Sequence, residues 1–370
     1  MAPSKVYFTD FHTTTAENQL QKLKRLLLTA GIRDIDFKQR YTAIKMHFGE
    51  PGNMAFLRPN YARTVAEVVK SLGGKPFLTD CNTLYVGGRK DALEHLDSAN
   101  LNGFNPYTTG CQIIIGDGLK GTDEVEVPVK GGEYIKIAKI GRALMDADVV
   151  ISLSHFKCHE QAGIGGAIKN IGMGGGSRAG KMDMHREGKP YVDHDVECLG
   201  CGSCSKVCAH NAPVWQNGIV VDIDHNKCVG CGRCIGECPM DVICSPYDAA
   251  TDVLNFRMAE YAKAVLDGRP QFHITLVMDV SPNCDCHSEN DVPIIPDVGM
   301  FASFDPVALD LACAEACLRM PVIAGSQADV ERKPGKDLFD TVHDITNWRT
   351  QIEHAKKIGL GEDSYELIRV

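Results

Sequence analysis

Eight cysteines between Cys198 and Cys238 hold the most specific chemistry of this 370-residue chain. They form two copies of one pattern, Cys198-x2-Cys201-x2-Cys204-x3-Cys208 and Cys228-x2-Cys231-x2-Cys234-x3-Cys238, the second followed by Pro239. Soft thiolates two residues apart can wrap three corners of an iron–sulfur cubane, and the chemistry that follows is one-electron transfer. Gly200, Gly202, Gly230 and Gly232 stand between the ligands, where the backbone must turn sharply around the sulfurs. Paired structural zinc sites would use CxxC pairs in tetrads and would leave two full four-cysteine runs unexplained.

The duplicated run resembles that of the bacterial-type ferredoxins, which hold two [4Fe–4S] clusters. In that arrangement the fourth cysteine of each run ligates the cluster of the other. The resemblance therefore assigns Cys198, Cys201, Cys204 and Cys238 to one cluster, and Cys228, Cys231, Cys234 and Cys208 to the other. Cys208 is followed by Ala209 where Cys238 is followed by proline. That proline shapes a turn and ligates nothing.

A second set of reactive residues lies outside the cysteine runs. His47 precedes Gly49-Glu50; Asp80 precedes Cys81-Asn82-Thr83; His155-Phe156-Lys157-Cys158-His159 follows an apolar run; Cys284-Asp285-Cys286-His287 follows another. In open α/β sheets, ligands bind beyond the carboxyl ends of strands, so four such ends point to one site. Lys157, His159 and His47 are the catalytic candidates there, as proton donors or orienting groups. Asp80, Lys169, Asn170, Gly165 and Gly166 are the ligand-binding candidates. Between His155 and His185, six basic residues including Lys157, Lys169, Arg178 and Lys181 face only Glu160 and Asp183. Set around the glycine-rich stretch Gly163–Gly176, this charge predicts an anionic ligand held by converging N–H groups, with close helix packing as the alternative. Gly175-x4-Gly180-Lys181 imitates a P-loop, but Met182 stands where the magnesium-binding hydroxyl belongs. Cys284 and Cys286 are either a further metal-binding pair or buried thiols; Cys313 and Cys317, four apart on one helix face, are expected in the core.

The elements that must position these residues alternate in type. Strands are expected at 43–48, 75–80, 112–115, 148–153 and 272–278, and a helix at about 61–72. A further helix runs from Pro306 to about Leu318, capped by Asp305. This rhythm predicts an α/β fold, a mostly parallel sheet with helices on both faces, carrying an inserted small α+β bacterial-ferredoxin-like domain. The expected boundaries are 1–190 and 248–370 for the two parts of the α/β domain and 191–247 for the insertion. The stretch 337–370 reads as charged and helical. A net charge of −9 with no basic stripe argues against nucleic acid. Thiolate ligands need a reducing compartment, no apolar run reaches membrane-spanning length, and Met1–Phe8 lacks a secretory core. A cytoplasmic protein is expected, with an electron-donor or acceptor protein as partner.

Several segments together resemble the DUF362 iron–sulfur proteins. They are His47 with Gly49-Glu50, Asp80-Cys81-Asn82-Thr83 with Tyr85 and Gly87, Phe156-Lys157-Cys158-His159, Gly165-Gly166-Ala167-Ile168-Lys169-Asn170, Met173-Gly174, Cys284-Asp285-Cys286, and Ser303 to Asp310. The resemblance spans nearly the whole chain and implies a DUF362 domain joined to a ferredoxin-type module, without implying a reaction. Two functions remain open from the sequence. One is a ferredoxin-linked oxidoreductase passing electrons to or from an anionic small molecule. The other is a non-catalytic electron-transfer or metal-handling accessory that docks a redox partner.

Overall fold

The computed structural model describes residues 3–85, 87–185, 189–245 and 251–370. Its main sheet has eight strands: β1 (Ser4–Thr9), β2 (Tyr41–Lys45), β3 (Lys75–Asp80), β4 (Gln112–Ile115), β5 (Val149–His155), β6 (Gln271–Val277), β7 (Gly299–Ser303) and β8 (Tyr365–Arg369). The order is β8-β1-β7-β6-β5-β2-β3-β4. Only β7 runs against its neighbours; the pairs β1–β8, β6–β5, β5–β2, β2–β3 and β3–β4 are parallel. The fold is thus the mostly parallel α/β sheet expected from the sequence.

Strand alternation divides the core in two. Val149, Ile151 and Leu153 of β5 face one side with Ile44, Leu78 and Ile274, beneath helices α1 (Gln19–Thr29) and α2 (Pro59–Ser71). Ala43, Val150 and Phe301 face the other, beneath α3 (Ala167–Gly175), α4 (Thr251–Leu266), α5 (Pro306–Leu318) and α6 (Arg349–Lys357). Every residue of β5 is buried, as a central parallel strand covered on both faces requires. Asp305 caps α5, its side chain accepting from the N–H groups of Val307 and Ala308, with Pro306 in the first turn.

The cysteine-rich segment leaves the sheet after β5, and the chain returns through α4 into β6, the strand hydrogen-bonded directly beside β5 from Val150–Gln271 to His155–Leu276. A short ribbon pairs Tyr191–Val192 with Ile243–Cys244, so the segment's two ends meet. Inside it lie a hairpin, Pro213–Gln216 with Ile219–Ile223, and the short helices Ser203–Val207 and Arg233–Gly236. The expected boundary at 247/248 falls outside the described residues.

Three sequence expectations change. The strand expected at 43–48 is Tyr41–Lys45, after which the chain leaves the sheet towards Gly49. The C-terminal stretch holds the helices Leu338–Val342 and α6, but its end is the edge strand β8. Half-exposed and carrying Glu366 and Arg369, that strand has the charged character that protects sheet edges and blurs a strand pattern. The glycine-rich stretch is no open turn either. Gly163–Gly165 pairs with Lys157–His159, and the residues from Ala167 form α3. There the glycines serve contact: Gly172 has no room for a Cβ against the Met258 carbonyl, which lets α3 lie directly on α4.

Candidate functional site

The cysteine-rich segment encloses two small cavities. One is bounded by Cys198, Cys201, Cys204 and Cys238, together with Trp215, Val220 and Pro239. Cys208, Cys228, Cys231 and Cys234 bound the other, with Ile223 and Arg233. Each cavity therefore collects three cysteines from one run and the fourth from the other. Gly200, Gly202, Gly230 and Gly232 all take left-handed φ values, 65°, 74°, 72° and 66°, as the tight loops require. Backbone N–H groups point at the sulfurs: Gly200 N to Cys198 Sγ at 3.4 Å, Gly230 N to Cys228 Sγ at 3.5 Å and Ala212 N to Cys208 Sγ at 3.3 Å. Burial, then the charges of Cys231, Cys228 and Cys208, push the Cys234 thiol up to about 12. Thiolates crowded this closely need a cationic centre between them, and the donor set is soft sulfur. The segment is compatible with iron–sulfur clusters.

Side chains of the α/β domain lock this module in place. Leu84 and Met182 join its apolar core of Val192, Ile235 and Ile243. Lys90 pairs with Asp241 and lies 3.4 Å from the Cys238 carbonyl; Lys120 pairs with Glu237. Arg178, 2 % exposed, packs against Gly232 and Gly236 and donates to the Lys90 carbonyl.

Between module and sheet opens a cavity of about 900 Å³. The carboxyl ends of β2, β3 and β5 deliver His47, Asp80, Lys157 and His159 to it; α3 adds Lys169 and Asn170, preceded by Gly166. Ile235, Ile243 and Cys244 complete it from the module. Gly165 does not line the cavity; a Cβ there would meet the Lys157 and Lys169 side chains. The structure thus brings the strand-end residues to one place, directly beside the stretch that carries Cys234 and Cys238.

Their charges are already partnered, which corrects the expectation of a bare cationic patch. Lys157 Nζ lies 3.2 Å from Asp285 Oδ2 and 3.2 Å from the His155 carbonyl. His155 Nδ1 lies 2.8 Å from Asp285 Oδ1, and its Nε2 2.8 Å from the Met278 carbonyl. Burial alone would raise Asp285, but His155 and Lys157 outweigh it and hold the carboxyl below the usual range. Lys169 Nζ lies 2.7 Å from Cys284 Sγ. Burial opposes ionisation of Cys284; the Cys286 hydrogen bond, the Lys169 charge and His159 overcome it and hold its pKa well below that of an ordinary thiol. Hydrogen bonding to Cys284 and burial raise the pKa of Cys286. Asp80 is held by Lys45 at 2.8 Å and by Arg89 at 3.6 Å, while Arg89 Nε donates to Glu50 at 2.8 Å. Asn170 completes this cluster, accepting from Lys45 Nζ at 3.0 Å and donating to the Lys45 carbonyl at 2.9 Å. Arg178 serves the module contact instead of the cavity.

The backbone anion site expected from the glycine-rich stretch is occupied from within. Ala167 and Ile168, in the first turn of α3, donate to Asp310 Oδ1 at 2.7 Å and Oδ2 at 2.8 Å. Gly166 leaves that carboxylate room, since a Cβ there would strike it. What the cavity does offer is neutral imidazole. Burial, then the Arg89 charge, push His47 well below its ordinary pKa; its Nδ1 accepts from Gly49 N at 3.0 Å, which assigns the ring proton to Nε2. His159 Nδ1 accepts from Gln161 and Ala162 N–H, each at 3.1 Å, so its proton is likewise assigned to Nε2. The two N–H groups can therefore orient a bound molecule, and the Lys157 ammonium can protonate it.

Asn82 is a satisfied core polar residue: its amide donates to Asp117 Oδ1 and the Gly118 carbonyl, both at 2.9 Å. Cys313 and Cys317 are buried in the core. Cys284 and Cys286 stay hydrogen-bonded to each other, with Cys284 also against Lys169 and Cys286 on the cavity wall beside Glu160 and His287. Lys45 and Arg89 were missed from the sequence, Glu160 entered only as an opposing charge, and His287 only as the end of the Cys284 motif. Three of them neighbour quoted motifs, but no spacing marks long-range ion-pair partners.

Residues 42–315 match the family described as "Domain of unknown function (DUF362)". The chain belongs to the DUF362 family. The match opens in β2, closes in α5, and includes both the cavity residues and the cysteine-rich segment. A thylakoid-associated protein of Synechocystis sp. is 29 % identical over 127 residues, 33 % of this chain and 34 % of that protein. A crystal structure of a Thermotoga maritima protein is similar with a TM-score of 0.42 and 12 % identity, covering 84 % of this chain and 59 % of that one. The lactate racemase apoprotein from Thermoanaerobacterium thermosaccharolyticum gives 0.40 and 11 %, covering 86 % and 58 %. This DUF362 chain thus spans about a third of the Synechocystis relative and under three-fifths of both structures. Among the described residues no helix is long and apolar enough to cross a membrane.

Proposed function

We propose that this protein is a cytoplasmic iron–sulfur redox protein whose two [4Fe–4S] clusters exchange electrons with a small molecule bound in the large cavity. The observation that carries the reading is the shared wall. Ile235 and Cys244, on either side of the ligand Cys238, line the same cavity as His47, Lys157, His159 and Lys169. Cys198, Cys201, Cys204 and Cys238 would hold one cluster, and Cys228, Cys231, Cys234 and Cys208 the other. Bound there, each cluster supplies one electron at a time, so the pair matches a two-electron change. The chain's own residues would bind and orient the molecule, with Nε2–H of His47 and His159 as hydrogen-bond donors, and would deliver a proton from Lys157 Nζ. An anionic ligand would enter by exchanging with Asp285 for Lys157, because that lysine has no charge to spare otherwise. Electrons would come from, or leave to, a separate donor or acceptor protein.

The test compares EPR spectra of the dithionite-reduced protein with and without small oxyanions, using oxalate, phosphate and sulfate as probes. At least one should perturb a cluster signal in the wild type and none in Lys157→Met, with iron content equal in both. Spectra that no probe moves, or that move equally in the variant, would overturn the cavity half of the reading.

The accessory reading keeps one specific support, a metal-ligating group on the cavity wall.

A further inference from the structure

We propose that Glu160, Cys286 and His287 form a third metal site, for Zn²⁺ or a similar borderline divalent cation, opening into the large cavity. One ligand atom from each residue lies within 4.8 Å of the other two. Zinc bonds of about 2.0–2.3 Å to oxygen, nitrogen and sulfur place ligand atoms roughly 3.3–3.8 Å apart, so small side-chain rotations close the site.

Three further observations point the same way. Glu160 Oε2 is buried and finds no hydrogen-bond partner, while Oε1 lies 3.2 Å from His287 Nε2. A buried carboxylate oxygen without a donor is costly unless a cation completes it. The second ring nitrogen of His287, Nδ1, lies 3.3 Å from Glu289 Oε1, the carboxylate–histidine pairing that orients a metal-bound imidazole. Lastly, Lys169 already lies 2.7 Å from Cys284, so Cys286 is the cysteine left for a metal, and binding would release the Cys286 thiol proton together with the proton His287 Nε2 holds towards Glu160.

Sulfur, imidazole and carboxylate together suit a borderline cation rather than magnesium or calcium. All three donors line the cavity. Three protein ligands with an open position define a catalytic type of zinc site, whose remaining position takes water or a ligand oxygen. The class of molecule that fits is therefore one carrying a carboxylate or carbonyl oxygen. That oxygen would bind the metal while His159 Nε2, 3.6 Å from Glu160 Oε1, stands close by.

The site shares the cavity of the proposed function, but zinc binding does not depend on electron transfer, and iron is counted separately in each sample. Anaerobically prepared protein with its clusters intact is titrated with Zn²⁺ against a chromophoric chelator, then desalted for metal analysis. The wild type should retain one zinc per chain. Cys286→Ser and His287→Asn should lose it with iron unchanged. Glu289→Gln should weaken zinc binding by about 10- to 100-fold, the usual effect of losing an outer-shell partner. The Glu289 side chain is 68 % exposed, so this variant reports on the site even if the others misfold. No zinc retained by the wild type, or unchanged zinc affinity in Glu289→Gln, would overturn the site.

Discussion

Replacing Asp285 with asparagine tests how the cavity holds its charge. Asp285 is fully buried and faces both His155 and Lys157, whose side chain is 7 % exposed. Removing one partner of a buried ion pair costs about 3–5 kcal/mol, because the other charge is left uncompensated. Asparagine keeps the shape and one acceptor, so the lower end, about 3 kcal/mol, applies. At about 2.1 cal/mol/K per residue, a 370-residue chain has an unfolding entropy near 0.8 kcal/mol/K, which converts the loss to a fall of about 4 °C in Tm. Anaerobic differential scanning calorimetry at pH 7, with iron content equalised, measures it. The reasoning makes a sharper demand as well. Since the penalty is the stranded Lys157 charge, Asp285→Asn/Lys157→Met should melt about 1–2 °C above Asp285→Asn, a coupling within the range known for contacting residues. A single variant as stable as the wild type, or a double variant that melts lower still, would refute the ion-pair account.

Other perturbations have equally definite outcomes. Cys208→Ser should remove the cluster assigned to Cys228, Cys231 and Cys234 and leave the one held by its own sequence neighbours, so that iron falls from about eight to about four per chain. Gly172→Ala should destabilise by about 1–3 kcal/mol in chemical denaturation despite alanine's better helix propensity, because the methyl group meets the Met258 carbonyl. Glu260 accepts from the N–H groups of Glu133 and Ile135 and from His354 at 2.9 Å. Burial would raise its pKa, but His354 and these N–H groups outweigh it and leave it below 4.5. Its stabilisation is therefore complete above pH 4.5 and lost as pH falls through the lower folded value. Glu260→Gln should accordingly melt lower at pH 7 and lose less of its Tm than the wild type between pH 5 and pH 4.

The parts of this molecule written in local pattern were legible. β3 and β4 have the bounds their apolar runs suggest, and α5 begins where Asp305-Pro306 says it must. Cysteine spacing marked the two runs, and their resemblance to the bacterial-type ferredoxins supplied the crossed grouping that the structure gathers around two cavities. Elements with weaker pattern were not found. β7 is short, and β1 and β8 owe their existence to pairing between the two ends of the chain. Electrostatics was the least legible. The basic residues around Lys157 looked unopposed because their partners, Asp285 and Cys284, arrive from more than a hundred residues away. A charge count along the chain cannot see a pair made across the sheet, and here such pairs occupy Lys157 and Lys169, while Lys181 on the same cavity wall donates to the Gly176 carbonyl.

The central claim is that the two four-cysteine cavities hold two [4Fe–4S] clusters. The most direct measurement is iron and acid-labile sulfide per chain on anaerobically purified protein, with EPR spin integration after dithionite reduction. The account predicts about eight irons, about eight sulfides and about two spins per chain. Stoichiometric zinc with negligible iron, or about four irons with a single spin, would contradict it.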